Sequence, residues 1–232
     1  APEGSLDGSG SPIKHIYSNE KSYIALKEDG TTVAWGNADA IKISQNQASI
    51  GKVKDIFINE HAYAGLLYDG SIRTWGQEEE GGDYTIGNNA GYTDEVHSAP
   101  IGSLDSGVLN IIGTSTAFAA LKKNGSVVTW GRSDKGGNPN YDLESAGASK
   151  AVGDLSSGVV KVFANSSAFA ALKDDGSVVT WGKSVDGGNS ANVDFSNGVK
   201  EIYSNTSSFA AIKNDGSVVT WGDQEFGGQH TY

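Results

Sequence analysis

One fifteen-residue phrase recurs five times along this chain without an internal gap, and it restricts the fold more than any other feature. It reads AFAALKDDGSVVTWG at 168–182, AFAALKKNGSVVTWG at 117–131 and SFAAIKNDGSVVTWG at 208–222. Looser copies are SYIALKEDGTTVAWG at 22–36 and AYAGLLYDGSIRTWG at 62–76. Each copy is an apolar run, then Asp-Gly or Asn-Gly, then a second β-rich run ending in Trp-Gly. A two-residue turn of this kind between such runs predicts a hairpin whose two turn residues both take positive φ. In the copy around Phe169, the side chains of Phe169 and Ala171 go to one face, those of Ala170 and Leu172 to the other. A strand apolar on both faces is covered on both sides.

A third strand is expected before each hairpin. Its mark is a β-branched pair three residues apart: Ile13/Ile16, Val53/Ile56, Val108/Ile111, Val159/Val162 and Val199/Ile202. After each Trp-Gly, a Gly-Gly follows at a fixed offset, at 81–82, 136–137, 187–188 and 227–228; the first copy has Ile41-Lys42 there. The tryptophans stand at 35, 75, 130, 181 and 221, so the spacing is 40, 55, 51 and 40 residues. All the variation falls after the Gly-Gly, and the polar stretches 83–102 and 138–153 read as inserted surface loops.

A period near 40 with three or four strands per unit means a propeller blade or a solenoid coil. The repeated hairpins favour the propeller. So do terminal copies that keep the consensus, because an open stack needs polar caps and a ring does not. The expected architecture is an all-β propeller of five blades, at about 13–50, 51–103, 104–154, 155–195 and 196–232. Residues 1–12 are expected as a flexible lead-in or a closing edge strand, with Leu6–Ser11 pairing with the tail after Trp221.

The 232 residues suffice for one repeat domain with a sizeable core. The chain has no Cys, which removes disulfides and thiolate chemistry. It has no Met either, even at position 1, so a processed chain or an excised module is expected. No apolar stretch is long enough for a transmembrane helix. The net charge of −11 argues against nucleic acid and against an anionic membrane surface, and suits a basic or neutral partner.

The pattern F-A-A-L-K-x-D-G-x-V-x-x-W-G, then four residues, then Gly, resembles the regulator of chromosome condensation repeat. The resemblance covers essentially the whole chain. Its compact period is most similar to the bacterial short-repeat branch, which includes secreted repeat proteins, surface adhesins and propellers that inhibit β-lactamases. It implies a β-propeller. The better-known members have seven blades, and 232 residues at this period cannot hold seven. It also implies, for the chromatin-associated member, exchange-factor activity on a small GTPase and nucleosome binding. The acidic balance here and the lack of basic tails point away from both.

The five tryptophans, Trp35, Trp75, Trp130, Trp181 and Trp221, are read as structural residues between blades, with indole N–H groups satisfied by backbone; a sugar-stacking platform is the alternative. Asn19, Asn59, Asn165 and Asn205, with Thr114 in the third copy, recur at the turn before each hairpin. They are read as strand-ending residues that tolerate a left-handed conformation, or else as a ring of ligands around a channel mouth. The residues after them vary between copies, and varying residues on a constant frame are where binding concentrates. The candidate ligand-binding set is Glu20, Lys21, Glu60, His61, Ser115, Thr116, Ser166, Ser167, Thr206 and Ser207. His15, His61, His97 and His230 sit in four unrelated contexts, so no metal site is expected, and no cofactor. No nucleophile–base set, P-loop or paired carboxylates stand out. The expected function is therefore non-catalytic binding of a protein through one propeller face and the inserted loops, in a secreted or surface-displayed adhesin-like protein. Carbohydrate binding is the alternative.

Overall fold

The computed structural model of the chain describes residues 6, 10–36, 51–77, 81, 102–140, 147–149, 151 and 153–228. Five antiparallel sheets stand in it, one for each copy of the repeat. Blade one holds β1 (Ile13–Ser18), β2 (Ser22–Lys27) and β3 (Thr32–Gly36). Blade two holds β4 (Val53–Ile58), β5 (Ala62–Leu67) and β6 (Ile72–Gly76), and blade three β7 (Val108–Gly113), β8 (Ala117–Lys122) and β9 (Val127–Gly131). A short β10 (Ala148–Ser149) precedes β11 (Val159–Ala164), β12 (Ala168–Lys173) and β13 (Val178–Lys183) of blade four. Blade five holds β14 (Val199–Ser204), β15 (Ser208–Lys213) and β16 (Val218–Gly222). The protein is an all-β propeller of five blades.

The register repeats from blade to blade. Phe169 lies opposite Trp181, as Phe209 lies opposite Trp221 and Phe118 opposite Trp130. Each first strand has a bulge just after its first residue, as between Val159 and Lys161. The bulge lets both members of the β-branched pair, Val159 and Val162, reach the same buried layer.

The hairpin turn differs from the expected one. Gly30, Gly70, Gly125, Gly176 and Gly216 take positive φ, and the Asp or Asn before each does not. The Lys27 carbonyl accepts from Gly30 N–H at 3.0 Å and Lys27 N–H donates to Thr31 at 2.8 Å, a three-residue loop with glycine at the bulge. The reason lies in the acidic side chain. Asp175 Oδ1 accepts from Ser177 N–H at 2.9 Å and from its hydroxyl at 2.6 Å. That pair of bonds holds the aspartate in an ordinary conformation. Asp29, Asp69 and Asp215 do the same to Thr31, Ser71 and Ser217.

These bonds make the turns sensitive to acid. Each carboxylate accepts a hydroxyl and an amide donor, which favours its charged form. Asp29, Asp69 and Asp175 therefore titrate below the ordinary carboxylate range, and Asp215 falls to about 2. The unfolded chain, with aspartates near the reference value of about 3.9, binds protons first as pH drops. The stabilisation is present above about pH 4 and disappears as pH falls through about 2. Thermal melts from pH 5 to pH 2 are expected to show this loss, and Asp215→Asn to flatten it. An identical acid limb in the variant would remove Asp215 from the effect.

Four apolar clusters hold the blades together, one at each junction between successive blades. In the last, Ala168, Ala170 and Leu172 of blade four meet Val199, Ile202, Phe209, Ala211 and Trp221 of blade five. Among the described residues, no such cluster and no hydrogen bond joins blade five to blade one. The expected closing strand falls partly on 7–9 and 229–232, outside the described residues, as does most of the inserted loop 83–102. Among the described residues one sheet has a fourth strand. β10 pairs with β13, Ala148 opposite Lys183, so the tail of the third copy completes the sheet of the fourth.

Candidate functional site

The candidate residues all sit in the turn between the first and second strands of a blade, at the end opposite the Asp-Gly turns. The asparagine before each pair shapes that turn. Asn165 Oδ1 accepts from Ser167 N–H at 2.9 Å and Ala168 N–H at 2.8 Å, while its amide donates to the Asp186 carbonyl at 2.6 Å. Asn19, Asn59 and Asn205 make the same paired acceptance. Thr114 does it with one hydroxyl, toward Ala117 N–H. The expected left-handed conformation is absent at these positions: the described non-glycine residue with positive φ is Asn197. The side-chain oxygen gathers the free amides directly, so the backbone has no need to reverse hand.

The two residues after each asparagine have different roles. The first of each pair forms a rim. Glu60 N–H donates to the Ser115 carbonyl at 3.2 Å, Ser115 N–H to Ser166 at 3.0 Å, and Ser166 N–H to Thr206 at 3.1 Å. The Ser115 hydroxyl also donates to Glu60 Oε1 at 2.7 Å. The second of each pair anchors the blade's last strand. The carbonyls of His61, Thr116, Ser167 and Ser207 accept from Gln77, Arg132, Lys183 and Asp223. Ser167 is only 7% exposed and its hydroxyl accepts from Lys135 Nζ at 3.3 Å. Burial, then the charge of Lys183, lowers the Lys135 ammonium below its usual range. Glu20, Lys21, Glu60 and Thr206 are exposed; His61, Ser115, Thr116, Ser166 and Ser207 are half-buried. The surface on offer at this end is thus charged in blades one and two and hydroxyl-bearing in the rest.

The opposite end is acidic. Exposed Glu28 and Asp29, Asp69, Asp174 and Asp175, and Asp215 cap the hairpins of blades one, two, four and five there, against exposed Lys123 on blade three and Lys52 beside Asp29. Asp154 and Asp194 come close to them from the tails, tied through Lys173 and Lys213. The sequence signal for this face was the acid in each Asp-Gly pair, which turn chemistry alone had accounted for.

The tryptophans are used between blades. Trp130, Trp181 and Trp221 are fully buried. Their Nε1–H groups donate to the carbonyls of Gly81, Gly136 and Gly187 in the preceding copy's tail, at 3.2, 3.0 and 3.1 Å. Each stacks on its own blade's Phe, as Phe169 on Trp181 at 5.2 Å. Trp35 and Trp75 are half-buried. Among the described residues the exposed large aromatics are Tyr23, Tyr68, Tyr203 and Phe226. A concavity of about 750 Å³ lies between the tails of copies four and five, and Val185, Asn189, Asn192, Gln224 and Glu225 help line it. Among the described residues that line it there is no aromatic ring for a sugar to stack on. Among the described residues, no group of three His, Asp or Glu is placed to hold a metal ion, and no helix is long and apolar enough to cross a membrane.

No family profile matches this sequence, and no curated protein does. Solved structures do. Yeast RCC1 (Prp20), in a crystal structure bound to Kap60, matches with a TM-score of 0.52 at 16% identity, over 94% of this chain and 57% of that one. Human WBSCR16 matches with a TM-score of 0.51 at 17% identity, over 91% of this chain and 62% of that one. Prp20p from Saccharomyces cerevisiae, described with its binding properties to Gsp1p and histones, gives 0.50 at 16% identity. This chain spans less than two thirds of the length of each. At such identities the likeness concerns the fold, and the fold is that of an RCC1-like β-propeller.

Proposed function

We propose that this chain is a non-catalytic binding module that recognises a protein partner through the rim formed by the turns after β1, β4, β7, β11 and β14. One observation carries the reading: a constant, mutually bonded backbone track from Glu60 through Ser115 and Ser166 to Thr206 displays side chains that change from copy to copy. Fixed frames with variable side chains suit selective recognition. The half-exposed hydroxyls and the Glu20, Lys21, Glu60 and His61 group give the rim donors, acceptors and charges of both signs. Yeast Prp20, of the same fold, was crystallised bound to Kap60, which supports a protein over a small molecule. In this reading the chain is one domain of a secreted or surface-displayed, adhesin-like protein, the setting implied by the repeat resemblance.

Affinity capture from the protein's natural surroundings tests this. The wild-type chain is expected to retain one protein, a Glu60→Arg/Ser166→Arg variant to lose it, and an Asp175→Ala control on the opposite end to keep it. A glycan array run alongside is expected to stay silent. Saturable glycan binding that disappears in Ser166 and Thr206 variants would replace the protein reading with a lectin.

A further inference from the structure

The two outer faces of the blade series are the unmatched halves of the joint that the chain already uses four times. At each inner joint, a blade presents a face of alanines and aliphatic residues to the next. That next blade answers with a β-branched pair, an aromatic ring and a tryptophan. Blade five presents the first face to solvent. Tyr203 and Val218 are 56% and 57% exposed there, and Ala210 and Ile212 are half-exposed, where their counterparts Ala170 and Leu172 are buried. Blade one presents the second face to solvent. Ile16 and Tyr23 are 51% and 48% exposed, where their counterparts Ile202 and Phe209 are fully buried. Such apolar surfaces mark an association site.

The polar features match as well. Gly227 repeats the left-handed geometry of Gly136 and Gly187. Around those two lie the Phe and Trp rings of the next blade; around Gly227 a side chain would meet nothing within 4 Å. On blade one, the Tyr23–Trp35 stack is in place at 5.3 Å, and among the described residues no carbonyl faces Trp35 Nε1. The rim track ends at Thr206 N–H, with the Glu20 carbonyl at the corresponding acceptor position of blade one. Tyr17 donates from its hydroxyl to Asp55 across the first joint at 2.6 Å; Tyr203 occupies the Tyr17 position on blade five, and His15 the Asp55 position on blade one.

We infer that a second copy of this chain occupies the free face, blade five of one copy docking on blade one of the next, head to tail. The joint repeats the inner ones: Gly227 carbonyl to Trp35 N–H, Thr206 N–H to the Glu20 carbonyl, Tyr203 hydroxyl to His15. Ala210, Ile212 and Val218 cover Ile16 and Tyr23. Because the two surfaces differ, the contact is heterologous and leaves a free end on each dimer, so assembly proceeds beyond two.

Sedimentation equilibrium of the 232-residue chain over a hundredfold concentration range tests this. The mean mass is expected to rise past that of a dimer. Two exposed positions allow blocking without touching the core. Ile16→Asp blocks the receiving face and Val218→Asp the docking face. Each variant alone is expected to remain a monomer at concentrations at least tenfold above those where the wild type associates. Mixed together, they are expected to form a one-to-one dimer that stops there, since each supplies the face the other lacks. A wild-type chain that stays monomeric throughout overturns the inference, whether its ends stay apart or close on each other. So does a dimer that persists in Ile16→Asp alone, which would show a symmetric contact elsewhere.

Discussion

Replacing Trp181 with alanine is expected to cost about 3–5 kcal/mol of stability, the range for truncating a fully buried large aromatic. Three losses combine at this position. The ring is fully buried within the cluster between blades three and four. It stacks on Phe169 at 5.2 Å. Its N–H is the donor to the Gly136 carbonyl, which would be left inside the joint with no partner, at a further cost. Denaturant unfolding of the wild type and the variant measures the difference. Trp35→Ala should cost markedly less, because that ring is half-buried and, among the described residues, holds no neighbouring tail. Equal losses at the two sites would refute the assignment of the tryptophan to the inter-blade joint.

Gly137→Ala is expected to be nearly as damaging, by about 3 kcal/mol, the upper end for an inserted methyl group. That methyl would lie inside the van der Waals surface of the Gly131 carbonyl oxygen. The obstacle is backbone, held by the bond from Gly137 N–H to the Arg132 carbonyl at 2.8 Å, so it cannot step aside as a side chain would. Gly136→Ala meets a different obstacle: a left-handed backbone, and a Phe169 ring edge 2.5 Å from the new carbon. By contrast, Gly227→Ala meets no atom and bears only the cost of its positive φ. A melting series over these three glycines reads out the tail's packing. Equal melting temperatures for Gly137→Ala and Gly227→Ala would contradict it.

The repeat made the blades legible because hairpins and buried strands are local matters. The apolar run Phe169–Leu172, buried throughout, and the glycine after Asp175 are signals carried within a few residues. The turn geometry was less legible, because an Asp side chain that accepts two donors from Ser177 can stand in for an unusual backbone conformation. The asparagines were misjudged for the same reason. Asn165 folds its turn with its side-chain oxygen, an option that a residue's tolerance of positive φ does not reveal. The Gly-Gly offset was plain in the sequence, yet its cause was not. Its partners are the Phe and Trp of the next copy, the Trp lying 34 to 49 residues away. The candidate residues do share one end of the propeller. Their division into a rim member and an anchoring member depends on where neighbouring turns fall, which only the assembled blades determine.

The handover of each tail to the following blade gives the array a direction of growth. The tails ending at Gly136, Gly187 and Gly227 have nearly the same backbone conformation, so any of them can receive another copy carrying the Phe–Trp pair. Gene duplication at the distal end therefore adds a blade without redesigning its neighbour. The first copy breaks this compatibility. It has Ile41-Lys42 where the others have glycines, and blade two is adapted to it, with Tyr63 in place of Phe and its hydroxyl donating to the Ser22 carbonyl at 3.0 Å. Copies one and two are matched to each other, and the tails of copies three to five repeat one cassette design. A viable recombination seam divides those cassettes after the paired glycines, where the strap for the next blade is already complete.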